Sequence, residues 1–300
     1  MKNIKDEFAR YHPVVNLSFF IAMIVSTMLF FDVIYISLSF IAALCYGYYV
    51  GRKKFLKTAA LFVLPIMVIS VFMNIWINNQ GTTILFYIFE RPIYLEVTLY
   101  AALQSLAFAS VLMWCYTYNF LMTSDKFIYV FGKIIPTLSL VFSMVLRFIP
   151  MFHSRASLIA KGQKCIGHDT GSGSKKEKIS HGINILSIMT TWSLENSVDT
   201  SDSMKARGYG LPGRTAYNQY YFSLRDIVTM IIFLVLFFIV FFGIPNYGLH
   251  INYFPTIDFE YKSSAWPLIY ICSGIFGLFP MILNLYENIK WKYLESKIKT

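Results

Sequence analysis

Six long apolar runs punctuate this chain: Val14 to Phe31, Val33 to Val50, Ala59 to Ile77, Tyr94 to Tyr118, Leu224 to Ile244 and Ala265 to Tyr286. Each is long enough, as a helix, to cross roughly 30 Å of hydrocarbon. Only Asp32 separates the first two, which predicts a tight hairpin. Residues 78–93 read as a polar loop with a short apolar piece. Six crossings place both termini on one side of the membrane.

A seventh apolar run, Ile134 to Met151, is broken by Pro136 and Pro150 and carries Arg147, a costly residue near a bilayer centre. Charge bias decides its place. With this run kept on the cytoplasmic side, 24 of the 26 lysines and arginines share that side and only Arg91 and Lys262 lie opposite, as the positive-inside rule requires. Three parts follow: 1–120 with four crossings, a cytoplasmic insert at 121–222, and 223–300 with two crossings.

The insert opens with a short amphipathic piece, TSDKFIYVFGKI, suited to the membrane interface. A long helical stretch follows from Pro136 to about Lys164, then a break, GHDTGSGSKKEK, then a second helical stretch from Ile179. Placed at 100° per residue, Ile179, Ile183, Leu186, Met189, Leu194, Val198 and Met204 fall in one arc, and Ile185, Ile188 and Trp192 fall roughly opposite. A third strip carries Glu195, Asp199 and Asp202. Such a helix needs an apolar layer on one side, a packed neighbour on another and water on the third. It ends at Ala206-Arg207-Gly208, where the cation complements the helix dipole, Gly208 can close the helix and Gly210, Pro212 and Gly213 forbid continuation.

Composition agrees with this class: 56% hydrophobic against 14% charged residues indicates an all-α polytopic membrane protein, with about six transmembrane helices and two long cytoplasmic ones. Cys45, Cys115, Cys165 and Cys272 are scattered and suggest no disulfide framework. The charged start, MKNIKDEFARYHP, gives no sign of a cleavable signal peptide. Small residues four apart, Ala43 with Gly47 and Ser273 with Gly277, suit close helix packing. Asp32, Glu96 and Asp226 sit near predicted ends, so no run of ionisable residues lines a crossing, which argues against an ion channel or proton-coupled carrier.

Candidate chemistry is sparse. Gly173-Ser174-Lys175 departs from the phosphate-binding pattern, which needs Gly-Lys-Ser/Thr after a buried strand. Cys165, His168 and Asp169, with His153 and His181, lack the paired spacing of a four-ligand zinc site. The strip of Glu195, Asp199 and Asp202 has no nucleophile or base beside it. No metal or cofactor site is therefore expected.

The order of parts and several motifs resemble the transmembrane T component of energy-coupling factor (ECF) transporters, importers of vitamins and transition-metal ions. These motifs are His12-Pro13 before the first crossing, Asn78 to Gly81, Arg147-Phe148-Ile149-Pro150, and above all Met204-Lys205-Ala206-Arg207-Gly208-Tyr209. The resemblance implies a non-catalytic subunit of the cell membrane with both termini cytoplasmic. Its two long coupling helices end in Ala-Arg-Gly motifs whose arginines dock into two ABC-type ATPase subunits. A separate small membrane subunit (S) would bind the solute. By this resemblance the docking residues are Ala206, Arg207 and Gly208 at the second tip and Lys164, Cys165, Ile166 and Gly167 at the first. The first tip departs from the family: Gly162-Gln163-Lys164-Cys165-Ile166-Gly167-His168-Asp169 has Ile166 where arginine is expected. Either Lys164 supplies the charge or the contact has become apolar. Rival readings are a polytopic membrane enzyme with an interfacial site and a membrane scaffold protein.

Overall fold

A computed structural model describes residues 6–78, 81–88, 91–132, 135–168, 171, 174–209, 211, 220–252, 258–261 and 266–298. Asp169, Gly173, Gly210, Pro212 and Gly213 lie outside these. Helices dominate: α1 (Pro13–Leu29), α2 (Val33–Thr58), α3 (Leu64–Ile77), α4 (Leu95–Leu121), α5 (Ser124–Gly132), α6 (Pro136–Cys165), α7 (Lys175–Ala206), α8 (Leu224–Tyr247) and α9 (Trp266–Ile298). Helix covers most of each of the six apolar runs, and the all-α polytopic membrane fold expected from the sequence is the fold observed. Four stretches, Val33–Ile77, Leu95–Leu121, Leu224–Tyr247 and Trp266–Lys297, are long and apolar enough to cross a membrane, and Pro13–Leu29 is a shorter apolar helix.

Val33–Ile77 is not one rod. A straight helix of its 45 residues would measure roughly 68 Å, over twice the hydrocarbon thickness. The chain bends at Arg52, whose φ of 48° is left-handed. Phe55 folds back beneath the preceding turn, and Gly47 leaves the space for its ring: a Cβ there would lie 2.3 Å from the Phe55 Cζ. Gly47 thus serves the bend. Of the small-residue pairs, the one that brings helices together is on α9, where a Cβ on Gly277 would lie 2.9 Å from that of Ala42 on α2. After the bend, a π turn at Ala59–Val63 precedes α3 and Pro65, a local widening that accommodates a residue without an N–H.

Two antiparallel strand pairs are present among the described residues, and the first corrects the loop reading of 78–93. Ile84–Ile88 (β1) pairs with Arg91–Tyr94 (β2), and Leu249–Asn252 (β3) with Asp258–Tyr261 (β4). Glu96, in the first turn of α4, anchors the approach to the first hairpin by accepting from the hydroxyls of Thr82 and Thr83 at 3.0 and 2.7 Å.

The chain divides into two compact units, one of 1–127 with 220–300 and one of 128–219. In the first, α1 is central. Phe19 makes ring contacts with Phe8, Phe20, Trp114, Phe233, Phe276 and Phe279. Hydroxyls tie the apolar core where it would otherwise be unspecific: Ser39 on α2 meets Thr27 on α1 at 3.0 Å and Ser110 on α4 at 2.9 Å, and accepts from the Trp114 indole at 3.2 Å. Asn16 is the exception. It is 1% exposed, and among the described residues its amide has no hydrogen-bond partner at either atom.

The N-terminal segment is latched by a buried carboxylate. Asp6 accepts from Tyr46 at 2.8 Å and Asn284 at 2.6 Å, and Asn284 in turn accepts from the Glu7 N–H at 2.7 Å. Burial pushes the Asp6 carboxyl above its ordinary value despite those donors. Lys126 on α5 reaches the carbonyls of Ala9 and Leu121, and burial lowers its ammonium.

Candidate functional site

The second unit is built on two long helices, α6 of 30 residues and α7 of 32. Pro136 sits in the first turn of α6, where a missing N–H costs nothing, whereas the helix runs on through Pro150. Helix α7 begins four residues before Ile179, the start read from periodicity. Ser174 caps it, accepting from the Glu177 N–H, while Glu177 reaches back to the Ser174 N–H at 2.8 Å. That capping box, Ser-x-x-Glu, was readable in the sequence. It also gives the end of the Gly-rich break a plain structural role.

The helices run antiparallel and touch at two levels. Phe152 on α6 packs edge-on against Trp192 of α7 at 5.6 Å, and the Arg155 guanidinium lies 5.0 Å from the same ring centre. Phe148 continues the stack one turn earlier, 6.0 Å from Phe152. At the mouth of the hairpin His168 meets His181, with Nδ1 atoms 3.1 Å apart. The side of α7 that carries Trp192 therefore faces its neighbour. Ile179, Ile183, Leu186, Leu194 and Val198 of the other apolar arc are exposed, as are Glu195, Asp199 and Asp202. Of the candidate metal ligands only His168 and His181 are brought together, and among the described residues no three His, Cys, Asp or Glu side chains form a group that could hold a metal.

Both helices end in the same turn. At the end of α6, Gly167 has φ 85°, its N–H donates to the Lys164 carbonyl at 3.1 Å, and the His168 N–H reaches the Gln163 carbonyl at 2.9 Å. At the end of α7, Gly208 has φ 79°, its N–H donates to Lys205 at 2.9 Å, and the Tyr209 N–H reaches Met204 at 3.0 Å. This is the Schellman closure, and only glycine takes the left-handed position without strain. Superposed on it, Lys164 corresponds to Lys205, Cys165 to Ala206, Ile166 to Arg207 and His168 to Tyr209. Ile166 is 66% exposed. Arg207 is also exposed, and among the described residues its guanidinium has no hydrogen-bond or ion-pair partner. The nearby Lys205 instead pairs with Asp202 at 3.5 Å.

Because His168 and His181 touch, the Ile166 tip lies beside the first turns of α7, and Arg207 lies at that helix's far end. The 26 residues from His181 to Arg207 span about 39 Å. The site thus offers two knobs of one backbone design and different chemistry, one apolar and one cationic. An always-charged planar guanidinium on a rigid end can enter a partner's pocket and make several charge-assisted bonds.

No family model matches the sequence. Curated proteins do. Over 103 residues the chain is 37% identical to the energy-coupling factor transporter transmembrane protein EcfT of Lactococcus lactis, covering 33% of this chain and 39% of that protein. It is similar to EcfT. The protein of that name from Bacillus selenitireducens is 34% identical over 99 residues, 33% of this chain and 37% of its own length. The EcfT of Macrococcus caseolyticus is 24% identical over 179 residues, 56% of this chain and 68% of that protein. The matches to the first two relatives span less than two-fifths of their length. The resemblance read from the motifs is therefore the one the comparisons return. These relatives are named as transmembrane proteins of a transporter.

Proposed function

We propose that this chain is the energy-coupling transmembrane subunit of an ECF-type importer of the cell membrane. In this reading it transmits movement from two cytoplasmic ABC-type ATPases to a small substrate-binding membrane subunit that takes up a vitamin or a transition-metal ion. It crosses the membrane six times with both termini inside, and residues 121–222 form the cytoplasmic insert between membrane parts 1–120 and 223–300. Ala206, Arg207 and Gly208 dock on one ATPase, and Lys164, Cys165, Ile166 and Gly167 on the other.

The observation that carries this reading is the pair of identically closed helix ends, set at opposite ends of α7 and presented to solvent in a chain similar to EcfT. Two ATPases need two separated docking points. A subunit without nucleotide chemistry of its own can receive work only through rigid contacts. The correspondence of Lys164 with Lys205 favours an apolar first contact at Ile166 over a charge supplied by Lys164.

Co-purification in mild detergent tests the reading, which expects two ABC ATPase polypeptides and one small membrane protein with this chain. Topology is tested separately. A cysteine placed at Ser174 should react with an impermeant reagent only from the cytoplasmic side, and labelling from outside intact cells would overturn the six-crossing arrangement.

A further inference from the structure

We propose that His168 and His181 form a two-histidine site for a divalent transition-metal ion, zinc, nickel or copper(II), at the mouth of the α6–α7 hairpin. Their Nδ1 atoms are 3.1 Å apart and their ring planes meet at 63°. An ion held about 2.0–2.1 Å from each nitrogen would subtend roughly 98° at that separation, between an octahedral right angle and the tetrahedral angle. The two nitrogens are therefore already at chelating separation, and turning the rings about their side-chain bonds would aim both at one ion.

Both ligands stand on fixed pieces of chain. His168 follows the left-handed Gly167, and its N–H is tied to Gln163 at 2.9 Å. His181 lies two turns inside α7, downstream of the Ser174–Glu177 capping box. In the metal-free pair one Nδ1 must donate to the other. The ion replaces that shared proton, and each ring coordinates through a bare Nδ1.

The donor set fixes the class of ion. Imidazole suits zinc, nickel and copper, whereas magnesium and calcium need carboxylate and carbonyl oxygens. With no third protein ligand among the described residues, water fills the remaining positions and the ion exchanges readily, unlike a closed structural zinc. Binding would fasten the Ile166 tip to α7. The proposal does not depend on the transport reading.

The test uses the full-length chain without a histidine tag, in detergent and stripped of metal, titrated calorimetrically with zinc chloride and then nickel chloride. One ion per chain should bind. Binding should be lost in His168→Ala and in His181→Ala and kept in His153→Ala, whose imidazole lies on α6 away from the mouth. Both changed residues lie in the solvent-accessible part of the hairpin, so folding can be checked by unchanged circular dichroism. No heat of binding at about 0.1 mM ion, binding that survives both histidine changes, or binding that needs Cys165 and neither histidine would each overturn the site.

Discussion

Ile166 and Arg207 hold the same place in the same helix-closing turn, each the last residue before a left-handed glycine. One backbone device thus presents an alkyl group at one end of a hairpin and a guanidinium at the other. Truncating a buried, hydrogen-bonded charge at an interface costs about 2–5 kcal/mol, against about 0.3–1 kcal/mol for a cation that only complements a helix dipole. If Arg207 docks as proposed, Arg207→Ala should detach or uncouple one ATPase while the chain still inserts, and Arg207→Lys should weaken the contact because the planar fork is lost. Affinity for the ATPases, measured on purified protein, decides between docking and capping.

The apolar tip should answer to different chemistry. Ile166→Asp is expected to disturb assembly at the first tip, and Lys164→Ala to change little. Dissociation of an ATPase by Lys164→Ala would show that the charge, and not the isoleucine, makes this contact.

Trp192 joins α7 to α6 through Phe152 and Arg155. An edge-on aromatic pair and a half-exposed cation–π contact together amount to about 1–2.5 kcal/mol. Trp192→Ala should speed amide exchange in the middle of α7, and Trp192→Phe should restore part of the protection.

Asn16 bears an uncompensated cost. A buried polar group with no partner destabilises by about 1–3 kcal/mol, so Asn16→Leu should raise the thermal midpoint in detergent. A lowered midpoint would indicate a water held there by the amide.

Asp6 gives a pH signature. Its carboxyl is raised by burial, so the folded chain takes up this proton at higher pH than the unfolded chain does. Its contribution is therefore most favourable in acid and diminishes as pH rises through the raised value. Compared with Asp6→Asn, the wild type should gain relative stability as pH falls from neutral towards about 4. The opposite trend would mean that Tyr46 and Asn284 outweigh the burial.

What the sequence made legible follows from range. The six apolar runs and the two long helices of the insert repeat over many residues, and the glycine closure at 208 is local, so both could be read directly, whereas the matching closure at 167 lay hidden at the edge of a Gly-rich break. The strand pairs escaped because four or five residues beside a crossing give too short an alternation to stand out from the apolar background. The break between the second and third apolar runs was legible, but the bend at Arg52, with Phe55 filling the notch at Gly47, depends on a left-handed backbone angle that no propensity predicts. The Asp6–Asn284 bond joins residues 278 apart, and the grip of Arg155 on Trp192 joins two helices. Pairings of that kind exist only once the fold does.

The Trp192 clasp also has a mechanical meaning. Were the hairpin to pivot there, its arms would be unequal: Arg207 lies about 22 Å along α7 from the clasp, and Ile166 about 17 Å along α6 from Arg155. A tilt of the hairpin about this point lifts one end as it lowers the other, and moves Arg207 roughly a third farther than Ile166. Two partners pulling on these ends would work against each other unless they moved in opposite senses. The longer stroke belongs to the end that carries the charge.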